Sequence, residues 1–149
     1  MTADPVTVSR SSETASSIAR AATSTGQITC ARAFAVARRL GISPADLGTE
    51  ADALGIAVSR CQLGLFGYGS KAEGKSKIVR ATELVPAALA AHLAAASEPG
   101  GSLTCAELWA VARQARVGRL AAACAAEGLG IRVSVCQLGC FKPRPPVRR

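Results

Sequence analysis

From Thr29 onward, apolar residues recur at helical spacing: Ala33, Val36, Ala37 and Leu40 fall at i, i+3, i+4 and i+7, with Arg32, Arg38 and Arg39 elsewhere on the helix. Thr29 is a suitable N-cap and Gly41 a suitable stop. Ser43-Pro44-Ala45-Asp46 then reads as a second helix start. Ser43 caps, Pro44 takes the first helical position, and Asp46 meets the positive end of the dipole. Leu47, Ala51 and Leu54 supply the buried face, and Gly55 ends the helix. Ile56 to Leu63 alternates imperfectly and reads as a strand. Beyond the Gly-rich, basic loop 67–77, Ile78 to Ala81 would return as its hairpin partner. A third helix is expected over Thr82–Ala96, entered through Pro86, and residues 97–101 form a linker.

The pattern is written twice. Residues 28–66 recur 75 positions later, without a gap, as residues 103–141. Thr29-Cys30-Ala31 matches Thr104-Cys105-Ala106, and Cys61-Gln62-Leu63-Gly64 matches Cys136-Gln137-Leu138-Gly139. Two copies are too few for a solenoid, so a duplicated module with a pseudo-two-fold arrangement is expected. The second copy departs at its turn, where Gly41-Ile42-Ser43-Pro44 becomes Arg116-Val117-Gly118-Arg119. The expected organisation is a disordered tail over 1–27, a first module over 28–81, a bridging helix and linker over 82–101, a second module over 102–141, and a basic tail over 142–149. The Ser-, Thr- and Arg-rich stretch from Ser9 to Thr25 loosely resembles an organelle transit peptide. It lacks a strong apolar face, so a disordered tail is the preferred reading.

Composition narrows the class. Of 149 residues, 49% are hydrophobic but only 3% aromatic, and alanine dominates, which favours a mostly α fold with a small core. No apolar run approaches the ~18 residues that span a bilayer. No secretory leader is visible, so a cytoplasmic, reducing setting with free or metal-bound thiols is expected. The formal charge of +8 points to an anionic partner.

Ala35 to Ser43, followed by Leu47, Ala51 and Leu54-Gly55-Ile56, resembles the helix-turn-helix of bacterial transcription regulators. The hairpin over 56–81 makes the resemblance one to the winged variant. The resemblance does not extend to the Cys-Gln-Leu-Gly element. It implies a mostly α, winged-helix-like fold and a small DNA-binding regulator, with double-stranded DNA as partner and a homodimer or protein contact besides. The second helix of the first copy carries Asp46, Glu50 and Asp52 and no base, which suits it poorly to the major groove. Phosphate contacts are therefore expected from Lys71, Lys75, Lys77 and Arg80 on the hairpin and from Lys142 and Arg144 in the tail.

The cysteines offer the alternative. Cys30 and Cys105 follow a threonine at a helix start, and Cys61 and Cys136 lie 31 residues further on. As small hydrophobes they would simply pack. As thiolates lowered by the helix dipole they would form a sulfur- or redox-handling module, or together hold zinc or an iron–sulfur cluster, with the helix-turn-helix as scaffold. Cys140 lies four residues after Cys136, and its counterpart in the first copy is Leu65. Cys124, Phe66, Phe141 and Trp109 are expected in the core. An enzyme is not expected: no phosphate loop, Ser-His-acid set or zinc-protease helix is present, and His92 has no obvious catalytic companion.

Overall fold

The computed structural model describes residues 5–69, 73–98 and 101–141. The described chain is mostly helical. It runs α1 (Pro5–Ala21), β1 (Gln27–Thr29), α2 (Cys30–Leu40), α3 (Pro44–Ala53), β2 (Ala57–Ser59), α4 (Ala87–Ala96), β3 (Ser102–Leu103), α5 (Cys105–Ala115), α6 (Arg119–Gly128) and β4 (Arg132–Val133). It forms two compact units, Met1–Cys61 and Gln62–Arg149.

In the first unit, short-range chemistry defines the helix ends. The Thr29 hydroxyl accepts from the Arg32 amide at 3.2 Å, and the Ser43 hydroxyl from the Asp46 amide at 3.0 Å. Gly41 adopts φ 68, and the Ile42 amide reaches back to the Ala37 carbonyl at 3.0 Å, closing α2. Pro44 sits at the start of α3. The core gathers Ile18, Ile28, Ala33, Val36, Ala37, Leu47 and Ala51. Full burial of a side chain such as Leu47 contributes roughly 2 kcal/mol.

The chain over 1–27 departs from the expected disordered tail, because α1 fills most of it and packs on α2 and α3. Among the residues of α1 whose side chains are described, the buried ones are Thr14, Ser17 and Ile18, at i, i+3 and i+4. Two of those three residues are small hydroxyl side chains, so the face does not register as apolar.

The expected wing is also corrected. β2 pairs in parallel with β1, Ile28 opposite Val58, rather than with a returning strand. Residues 78–81 form no strand. Their first two amides, Ile78 and Val79, both donate to the Gly64 carbonyl, at 2.8 and 3.0 Å. Parallel pairing needs a long crossover, which α2 and α3 provide, giving a β–α–α–β unit.

The second unit contains the same order, β3–α5–α6–β4, with Leu103 opposite Val133. Thr104 and Glu107 form a reciprocal capping box on α5. Arg116 stands at φ 56 where the first unit has Gly41, and the Val117 amide still reaches the Ala112 carbonyl at 3.0 Å. α6 starts from Gly118 with no side-chain cap. α4 is shorter than the expected Thr82–Ala96. The Thr82 amide donates instead to the Cys124 carbonyl at 3.1 Å, holding the start of that segment against α6. Gly128 permits this approach, since a Cβ there would lie 2.3 Å from the Thr82 carbonyl oxygen. Leu89 and Leu93 bury one side of α4, which packs on α5 and α6. No helix among the described residues is long and apolar enough to cross a membrane.

Candidate functional site

The second Cys-Gln-Leu-Gly element forms a closed turn after β4. The Cys136 amide donates to the Phe141 carbonyl at 3.2 Å, and the Gly139 amide to the Cys136 carbonyl at 3.0 Å. Gly139 sits at φ 79, in the left-handed region that glycine adopts at little cost. The chain thereby curls over the Cys136 sulfur. The Cys140 thiol hydrogen-bonds that sulfur and is the main reason its pKa falls from 9.0 to about 6; the amides of Cys140, Leu138 and Gly139 lower it further, while burial opposes them. Cys136 is buried and Cys140 is exposed.

A third sulfur adjoins the turn. Cys105 opens α5, and its amide donates to the Val135 carbonyl at 2.9 Å. The Gln137 side-chain amide donates to the Cys105 sulfur at 3.3 Å. The glutamine that accompanies each second cysteine thus has a role here: it carries a donor from the turn to the thiol at the helix start.

The first element has the same glycine conformation, with Gly64 at φ 75, but different surroundings. Leu65 stands in the place of Cys140. The Gln62 carbonyl oxygen accepts from Arg119, whose guanidinium also lies 3.6 Å from the centre of the Trp109 ring. Phe66 and Phe141 meet edge to face at 6.3 Å. Both rings, Trp109 and Cys124 are half-buried rather than fully in the core. Cys30 and Cys61 are buried in the first unit.

No family model, curated protein or solved structure matches this chain.

The structure describes three of the six residues expected to grip phosphates, Lys75, Lys77 and Arg80. Lys71, Lys142 and Arg144 lie outside the described residues. Lys75 pairs with Glu73 at 3.1 Å and Lys77 with Glu127 at 3.2 Å, so each lysine has a carboxylate beside it. Arg80 is exposed. Asp46 and Asp52 are exposed on α3, and Glu50 is half-buried. Among the described residues, no three of His, Cys, Asp and Glu cluster so as to hold a metal ion. The expected four-thiolate set of Cys30, Cys61, Cys105 and Cys136 therefore gains no support as a zinc or iron–sulfur centre.

Sequence reasoning underrated Cys140, because it has no counterpart in the first copy. The available signal was its spacing: a second thiol four residues after Cys136, immediately beyond a glycine able to turn the chain back.

Proposed function

We propose that this chain is a thiol redox module, in which Cys136 and Cys140 interconvert between a dithiol and a disulfide on a helix-turn-helix scaffold. The observation that carries this reading is the hydrogen bond between the two thiols inside the closed 136–141 turn. With its pKa lowered to about 6, Cys136 favours the thiolate near neutral pH, and the Cys140 S–H donates to it. Exposure orders the steps. Cys140 is reached first by a partner disulfide. Cys136 accepts the Cys140 proton as the Cys140 sulfur attacks, forming a mixed disulfide and releasing one partner thiolate. That thiolate takes the proton back from Cys136. Cys136 then attacks the Cys140 sulfur, forming the internal disulfide and releasing the second partner thiolate. Two electrons pass from the pair to the partner, and the products are one thiol and one thiolate.

The test uses glutathione disulfide as the partner. Cys136→Ser is expected to trap a stable glutathione adduct on Cys140. Cys140→Ala is expected to form little adduct, because Cys136 is shielded. Equal adduct formation in both variants would contradict the order of attack, and none in either would remove the reading. The dithiol form suits the reducing cytoplasmic setting expected from the sequence.

The second reading is a helix-turn-helix regulator that binds duplex DNA, alone or as a homodimer. The capped α2–Gly41–α3 corner supports it. The carboxylates of α3 and the pairing of Lys75 and Lys77 weigh against it. A salt-sensitive mobility shift with duplex DNA, lost in Lys75→Ala, Lys77→Ala and Arg80→Ala combined, would favour this reading; no shift at low salt would dismiss it. The segments β1–α2–α3–β2 and β3–α5–α6–β4 are read as products of one doubled ancestral module. The matched bounds and strand registers support that origin, and Cys140 is then an addition to the second copy.

A further inference from the structure

The first unit contains a cleft of about 710 Å³ between α1 and α2. Its lining combines three arginines, Arg20, Arg32 and Arg39, with apolar surface from Ala35, Val36 and Leu40. Three guanidinium groups around one concavity repel one another, and such repulsion is ordinarily relieved by carboxylates. Among the described residues none of the three is in an ion pair, although Glu13 shares the cleft.

The charge is unevenly spread. The Arg32 guanidinium donates to the Ala21 carbonyl at 3.4 Å, which brings the start of α2 to the end of α1, and Arg20 lines the same cleft. Glu13 lies seven residues before Arg20 on α1, about 10 Å along the helix axis. Arg39 lies the same distance along α2 from Arg32, so in this antiparallel arrangement Arg39 and Glu13 share the opposite end. The carboxylate offsets charge there, and the Arg20–Arg32 end is left cationic. Paired guanidinium groups present several parallel N–H donors, which suit the oxygens of a phosphate group. The adjoining alanine, valine and leucine surface suits an apolar body. The volume falls in the range of small-molecule pockets.

We propose that this cleft binds a small organic phosphate monoester, with the phosphate between Arg20 and Arg32 and an apolar body along Val36 and Leu40. The site is independent of the thiol pair, which lies in the other unit.

Calorimetric titration of the full chain with phenyl phosphate tests this. Phenyl phosphate is expected to bind more tightly than inorganic phosphate, and phenol not measurably. Arg20→Gln is expected to weaken phenyl phosphate about tenfold, in keeping with loss of a charge-assisted hydrogen bond. Arg113→Gln, exposed on α5, is expected to leave it unchanged. Amide resonances of Ser17, Ala21, Ala35 and Val36 are expected to shift on binding, which locates the ligand independently of any variant. Unaltered affinity in Arg20→Gln, or shifts confined to the second unit, would overturn the proposal. A duplex oligonucleotide that binds more tightly than phenyl phosphate and shows the same dependence on Arg20 would overturn it too, by naming a different occupant.

Discussion

The two Cys-Gln-Leu-Gly turns share four residues in order and a left-handed glycine, yet their surroundings make them different objects. Gly64 is enclosed: a Cβ there would meet the Leu120 side chain at 2.6 Å, the Ile78 side chain at 2.9 Å and the Val79 amide nitrogen at 3.1 Å. Among the described residues Gly139 is open, with nothing within 4 Å of the same position. The first turn receives the segment 78–79 and ties Gln62 to Arg119. The second turn points its glutamine at a thiol and places Cys140 over Cys136. One local motif thus serves packing in one copy and sulfur chemistry in the other. The difference comes from what the neighbouring residues bring to it.

The sharpest way to break this comparison is to substitute both glycines. Gly64→Ala is expected to destabilise by about 3 kcal/mol, combining left-handed strain with overpacking. Gly139→Ala should cost only the strain, about 1 kcal/mol. Denaturant unfolding of the two variants reads both values, and equal losses would show that the turns are not differently packed.

The next effect is electrostatic. Cys140→Ala removes the donor that contributes most to the lowered pKa of Cys136, so titration of thiolate ultraviolet absorbance should move from about 6 towards the ordinary 9.0. The folded value lies below the unfolded one. The stability it confers is therefore present in full above the unfolded value, declines as pH falls, and is gone below about 6. In Cys140→Ala that pH dependence should shrink. An unchanged midpoint would mean that the backbone amides alone hold the thiolate.

The paired helix ends give smaller contrasts. Ser43→Ala removes the cap of α3 and should cost about 1 kcal/mol, whereas α6 has no side-chain cap to lose. Arg116→Gly relieves a left-handed arginine and should stabilise by roughly 0.5 kcal/mol. Thermal unfolding of these two variants should show shifts of opposite sign.

Much of this was legible where the determinants are local. Thr29, Gly41, Ser43 and Pro44 mark their helix ends through contacts only three or four residues long, and the structure has them in those roles. The strand partner of β2 was not legible, because a three-residue strand carries too little pattern to choose between β1 before it and residues 78–81 after it. α1 was hidden because Thr14 and Ser17 bury hydroxyl-bearing side chains where an apolar pattern would carry aliphatic ones. At the thiol site, the repeat-matched cysteines point to a symmetric set. The unmatched Cys140 was the informative residue, since only the second turn can form a pair within itself. The arginine cleft was not legible because its residues are spread over two helices, the first of them in the stretch whose composition suggests a tail.

The central claim concerns the pair within the second turn. Peptide mapping by mass spectrometry, after the native protein is equilibrated with glutathione disulfide at neutral pH, addresses it directly. The account expects one internal disulfide, between Cys136 and Cys140, with Cys30, Cys61 and Cys105 still as thiols. A stable glutathione adduct on Cys140 beside a free Cys136, or a disulfide that joins any other pair, would contradict it.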